Sequence, residues 1–211
     1  KTIQDRIGSM LIGYEITDHS NKKCLIKCIS TTESQEFHNV LRRIFLISLS
    51  LAKNSLEIIR SKSYDKLDEV LVLENTNNRL TNFCHRILNK KISMNEKTIY
   101  YYVIIWLLES ICDDYKNIIN FLKSNKNVNL GGPSLSLYGK VNGLFESYYN
   151  IFYKYKDEDM SVFRRECKEL AGELVDAVNS RSGKEVVLFV YLHSIVQRIN
   201  DALGSTTGLY Y

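Results

Sequence analysis

Two carboxylates one helical turn apart are the residues in this chain best placed to do chemistry. Glu109 and Asp113 follow the run Tyr100 to Leu108, which reads YYYVIIWLL, in a stretch that continues as a helix. Positions i and i+4 share a helix face, so both side chains stand at the edge of an apolar stripe. Such a pair suits a cation. A weaker version recurs near the C-terminus, where Gln197-Arg-Ile-Asn-Asp201 follows the apolar stretch Val186 to Leu192. Similar layouts in the two halves of one chain point to a duplicated unit. The alternative for Glu109 and Asp113 is a solvated acidic patch paired with Arg42, Arg43 or Arg79.

Other reactive residues are less well grouped. Cys24 and Cys28 share one face of a strand, but a zinc site needs two more ligands. Cys84 and His85 are adjacent on a helix, so their side chains diverge. His193, four residues before Gln197, either supplements a site near Gln197 and Asp201 or packs as a neutral ring. Arg86, Lys90 and Lys91 close a helix whose dipole they complement. No nucleophile elbow, phosphate-binding glycine loop or zinc-protease histidine pair is present. Ser134-Leu-Ser-Leu-Tyr138 after Gly-Gly-Pro reads as a helix start, and an enzyme is not expected.

The elements that must position the acidic pair are mostly helices. A short antiparallel hairpin is read from Met10–Thr17 and Cys24–Ile29, rich in β-formers, around the polar turn 18–23. It must pack on something, since an isolated hairpin is marginal in water. Six helical patterns follow, over about 35–61, 67–90, 96–124, 134–157, 159–180 and 184–203. Leu41, Phe45, Leu49, Ala52, Leu56 and Ile59 mark the first stripe. Val70, Leu73, Leu80, Phe83 and Ile87 mark the second, with a polar gap at Thr76-Asn77. Ser93 and Glu96 have capping-box spacing before the third. Tyr138, Val141, Phe145, Tyr148, Phe152 and Tyr155 make the fourth an aromatic stripe, read as core. Phe163, Leu170, Leu174 and Val178 face inward on the fifth, and Gly204 is read as the stop of the sixth.

The single proline sits in Asn129-Leu-Gly-Gly-Pro-Ser134 and marks the boundary between halves. The organisation is thus a hairpin segment (1–33) and two antiparallel three-helix bundles (34–128 and 129–211), a mainly α fold. A chain of 211 residues can bury a sizeable core. One proline and ten glycines are too few for many short strands and turns. A net charge of +4, with no arginine-rich tract, does not imply nucleic acid. Five cysteines, an odd number, argue for reduced thiols and a cytoplasmic setting. The YYYVIIWLL run is far below the roughly 20 residues that span a bilayer, and no secretory signal pattern opens the chain. Because Lys1 rather than Met comes first, an upstream segment is expected.

This layout resembles the PhoU family, whose two three-helix repeats carry E(D)xxxD motifs. It is most similar to the archaeal branch, in which an AbrB-like DNA-binding domain precedes the helices. Leu11–Ile16 is similar to the joining segment, and Val40–Phe45 to the opening of the first PhoU helix. Val72–Leu80, Leu108–Asp113 and Val196–Asp201 resemble the second-helix motif, the third-helix motif and its counterpart in the second repeat. The resemblance implies a regulator of phosphate uptake or signalling that docks a transporter subunit or signalling protein. A regulator of this kind is expected to associate with itself, as a homo-oligomer, or with a partner; DNA contact is expected only through the missing N-terminal domain, and membrane association only through a partner. The resemblance also implies a metal set of Glu74, Glu109, Asp113 and Asp201 for iron, zinc or magnesium. This chain departs from the motifs at Asn78 and Gln197, where amides replace acids, so a full cluster in each repeat is not expected and no metal at all is compatible. The rival reading is a structural oligomerisation or effector bundle of a transcription regulator, with the metal and phosphate role lost.

Overall fold

The computed structural model describes residues 7, 12, 14–19, 23–28, 33–91, 96–128 and 130–211. Strand β1 (Tyr14–His19) pairs antiparallel with β2 (Cys24–Cys28), with Tyr14 opposite Cys28 and His19 opposite Cys24. Asp18 and His19, read above as turn, belong to β1. The register breaks between Ile16 and Asp18, so Thr17 is an extra residue that lets the strand run on, as in a β-bulge. Met10, Leu11 and Gly13 of the expected first strand lie outside the described residues. The hairpin region is anchored on the helices through Arg86. Its Nη2 donates to the Ile12 carbonyl at 2.8 Å, and its guanidinium lies 5.0 Å from the centre of the Tyr14 ring.

Six long helices follow among the described residues: α1 (Glu33–Ser61), α2 (Leu67–Lys91), α3 (Thr98–Ser124), α4 (Gly132–Tyr153), α5 (Asp157–Ser180) and α6 (Val186–Gly208). Gly131 and Pro133 open α4, where proline's missing N–H costs nothing. Gly183, at φ +88°, makes the turn into α6, a conformation that suits glycine. Gly204 does not stop α6. Ala202, Leu203 and Thr206 are buried on either side of it, so packing carries the helix one turn further. The closer constraint is Gly208, where a Cβ would fall 2.3 Å from the Tyr100 ring. Tyr155 lies beyond the end of α4 and stacks on Tyr210 at 3.9 Å. Ser93 of the expected capping box is outside the described residues.

Within each half, all three helices touch one another. Across the halves, α1 packs on α4, and α3 packs extensively on α6. First helix meets first and third meets third, as when two like units face each other. The buried apolar residues form one continuous core through both halves. The aromatic stripe of α4 is inside it, with Tyr138, Val141, Phe145, Tyr148 and Phe152 all buried. Its two fully buried phenols, Tyr138 and Tyr148, find partners, and so does Tyr115 of α3. Tyr138 shares a hydrogen bond with Ser55 at 2.8 Å, Tyr148 with Thr206 at 2.9 Å, and Tyr115 donates to Asn142 Oδ1 at 2.8 Å. The polar gap of α2 is also interior, since Asn77 is fully buried and donates to Ser48 Oγ at 2.9 Å.

A core shared by both halves predicts one cooperative transition. Leu108, fully buried on α3, should lose about 3 kcal/mol on replacement by alanine. Urea melts of Leu108→Ala followed by circular dichroism and by tryptophan fluorescence should shift together. Two separated transitions would show that the halves unfold independently.

Candidate functional site

The sequence-predicted acids of the first half do meet. Glu74 stands on α2 and is almost fully buried; Glu109 and Asp113 lie one turn apart on α3, both partly exposed. The group between them is Lys116, also on α3. Its ammonium donates to Glu74 Oε1 at 2.8 Å and forms an ion pair with Asp113. Asn78 Nδ2 donates to the same Glu74 oxygen at 2.7 Å. The helix spacing explains the arrangement: Lys116 is three residues past Asp113, so it returns to the same face. Arg42, Arg43 and Arg79 are not the partners of these acids. Arg42 instead donates to the Tyr149 hydroxyl at 3.2 Å and lies over the Tyr153 ring.

Electrostatics follow from burial and from this lysine. Burial disfavours the Lys116 ammonium, but its hydrogen bonds to Asp113 and Glu74 and their charges outweigh that, and its pKa is raised. Burial raises the Glu109 pKa, Asp113 and Glu74 add to the rise, and Lys116 partly opposes it. Among the described residues Glu109 has no hydrogen bond or direct ion pair. Beneath the acids, burial pushes the Cys112 thiol up to about 12, opposed by its bond to Ser48 and reinforced by the three carboxylates. That thiol is packed and unreactive.

The second half carries no equivalent. Asp201 is exposed on α6 and, among the described residues, has no hydrogen-bond or ion-pair partner. Gln197 Nε2 lies 3.4 Å from His193 Nε2, so the spacing of those two residues does bring them together. The neighbouring groove between α5 and α6 is lined by Arg164, Lys168, Gln197 and Asn200. Two cations and two amides there oppose a second cation.

A resident metal cluster does not fit these residues. A hard or borderline ion needs several oxygen ligands converging on an open centre. Here Lys116 already lies between Glu74 and Asp113, an amide occupies position 78, and the second repeat offers basic lining. Among the described residues no group of three or more histidine, cysteine, aspartate or glutamate side chains is arranged to hold a metal ion.

The other cysteines and histidines stay apart. Cys84 is buried, while the His85 ring stacks on Tyr102 at 4.2 Å. Burial lowers the His85 pKa, against a backbone hydrogen bond involving Tyr102 that raises it. Cys24 is half-buried, and the Cys28 side chain lies outside the described residues.

Three further groups shape the site and its surroundings. Lys116 was visible three residues beyond Asp113. Asp114, next to the acidic pair but on another face, is buried and receives Arg198 Nε at 2.7 Å, joining α3 to α6. Ser134 receives Arg181 Nη1 at 2.7 Å and bonds Glu185, tying the start of α4 to the start of α6. Comparison with protein-family models, characterised proteins and solved structures finds no match to the chain.

Two substitutions test this electrostatic assignment. Lys116→Met should lower stability by about 2 kcal/mol, because it leaves the buried Glu74 carboxylate without its cation; adding Glu74→Gln should restore part of the loss. A melting temperature unmoved by Lys116→Met would remove the lysine from that role. Glu109 has its folded pKa raised above its unfolded value, so its ionisation costs stability as pH rises through the window between the two. Glu109→Gln should therefore be more stable than the parent at neutral pH, and the difference should vanish in acid below the ordinary carboxylate range. An equal gain at both pH values would contradict this linkage.

Proposed function

We propose that this protein is a PhoU-like cytoplasmic regulator of phosphate uptake or signalling that acts through protein–protein contacts. Its first repeat uses the Lys116 ammonium as a built-in cation. The observation that carries the reading is Lys116 between Glu74 and Asp113, at the convergence of the second-helix and third-helix motifs. An ammonium there supplies the charge compensation that a bound ion would otherwise provide. The phosphate part is supported by the order and spacing of the motif-like segments, and the contact part by the apolar residues Ile99, Tyr102 and Trp106 exposed on α3. The partner would be a transporter subunit or a signalling protein. Any membrane association would run through that partner, since among the described residues no helix is long and apolar enough to cross a membrane.

A second reading, a structural oligomerisation or effector bundle of a transcription regulator, is favoured by the amides Asn78 and Gln197, which stand where the motifs carry acids. Phosphate uptake in host cells lacking the protein separates the two. Altered uptake supports the regulator; unchanged uptake leaves the effector bundle.

The built-in cation makes a prediction of its own. Melting of the purified protein should be unaffected by EDTA and by added iron, zinc or magnesium, and plasma mass spectrometry should find no stoichiometric metal. Stoichiometric metal that disappears in the Glu109→Gln, Asp113→Asn double variant would replace the lysine by a true metal centre.

A further inference from the structure

Along α3, Ile99, Tyr102, Trp106, Glu109 and Asp113 follow one another at intervals of three, four, three and four residues. That is the spacing of a coiled-coil seam, which keeps one line of side chains toward a partner helix. The first three are large side chains with exposed surface; Ile99 is 67%, Trp106 52% and Tyr102, one face of which stacks on His85, 39% exposed. The last two are carboxylates, of which Glu109 is unpaired among the described residues. Three carboxylates face the single Lys116 ammonium at that end, so it keeps negative charge. The seam is therefore apolar at its N-terminal end and acidic at its C-terminal end.

We propose that this seam docks a helix of another protein, presenting an apolar row followed by lysine or arginine. The inference rests on the reading of the chain as a docking regulator and names the chemistry of its partner. Along the whole seam, charge disfavours a second copy as occupant. With the two seams fully overlapped, antiparallel pairing would set apolar residues against carboxylates, and parallel pairing would set carboxylate against carboxylate. A helix with apolar residues opposite Ile99, Tyr102 and Trp106 buries the exposed surface, and its cation then reaches Glu109. Burial supplies the affinity, and the charge pair supplies register and choice of partner.

Trp106 is the only tryptophan in the chain, so it reports on its own seam. The probes are two tryptophan-free amphipathic helical peptides with the same leucine row, one continuing with lysines and the other with glutamates. The lysine peptide should shift Trp106 emission to shorter wavelength and bind about tenfold or more tightly than the glutamate peptide. Ile99→Glu, at an exposed position, should abolish binding while leaving the melting temperature unchanged. Glu109→Lys should reverse the peptide preference. Failure of both peptides, or equal binding of both, overturns the proposal. Emission that shifts with protein concentration in the absence of peptide also overturns it, in favour of self-association. None of these outcomes depends on the chelator and metal measurements above, so the seam can fail while the regulator reading stands, and the reverse.

Discussion

The packing of α3 against α6 is the constraint on which the rest of the molecule depends. Each of these helices closes its own half, and each touches helices of its own unit as well as the other. Ile104, Leu108, Ile111, Tyr115, Ile118 and Leu122 bury one side of α3, while Leu188, Leu192, Ile195, Ile199 and Leu203 bury one side of α6. Burying apolar surface is the main favourable term in folding, but it has no direction. Direction comes from the ion pair of Asp114 and Arg198, which fixes where one helix stands along the other. Once α3 is held in this way, its opposite face must look outward, with Ile99, Tyr102, Trp106, Glu109 and Asp113 along it.

Polar groups inside the bundle add further direction. Ser48 accepts from Asn77 and from the Cys112 thiol at 3.1 Å while donating to the Ile44 carbonyl at 2.8 Å. One hydroxyl thereby joins α1, α2 and α3. Asn142 of α4 reaches the Ala52 carbonyl of α1 at 2.8 Å, and Tyr148 reaches Thr206 across to α6. Any slip between these helices would leave buried donors and acceptors unpaired, which costs more than a surface hydrogen bond gains. The network restricts the bundle to one register.

The mainly α fold was legible in the sequence because its stripes are long and periodic. Leu41, Phe45, Ala52, Leu56 and Ile59 all point inward as their spacing requires, and so do the aromatics of α4. The errors lie where tertiary contact outranks local preference. Gly204 looks like a terminator in isolation, yet the buried residues beside it hold the helix open for another turn. Asn77 interrupts the apolar stripe of α2, yet it is buried because Ser48 from another helix gives it a partner. The site was half legible: one period of helix places Glu109 beside Asp113, but nothing in local spacing places Glu74 beside Lys116. That meeting requires α2 and α3 to pack, and it turns an apparent cation site into an ion pair within the fold.

The same lysine also explains why negative charge survives at the acidic end of the seam. An ammonium can satisfy two carboxylates only when both lie within reach, and Lys116 is engaged by Glu74 and Asp113. Glu109 is left to its surroundings, where burial and two like charges work against its ionisation. A carboxylate in that position is a cost to the free protein, one that solvent screening reduces at a partly exposed site. The cost falls when a cation arrives from outside, because the incoming charge offsets both desolvation and repulsion at once. Stability given up in the isolated chain thereby becomes preference for a basic partner.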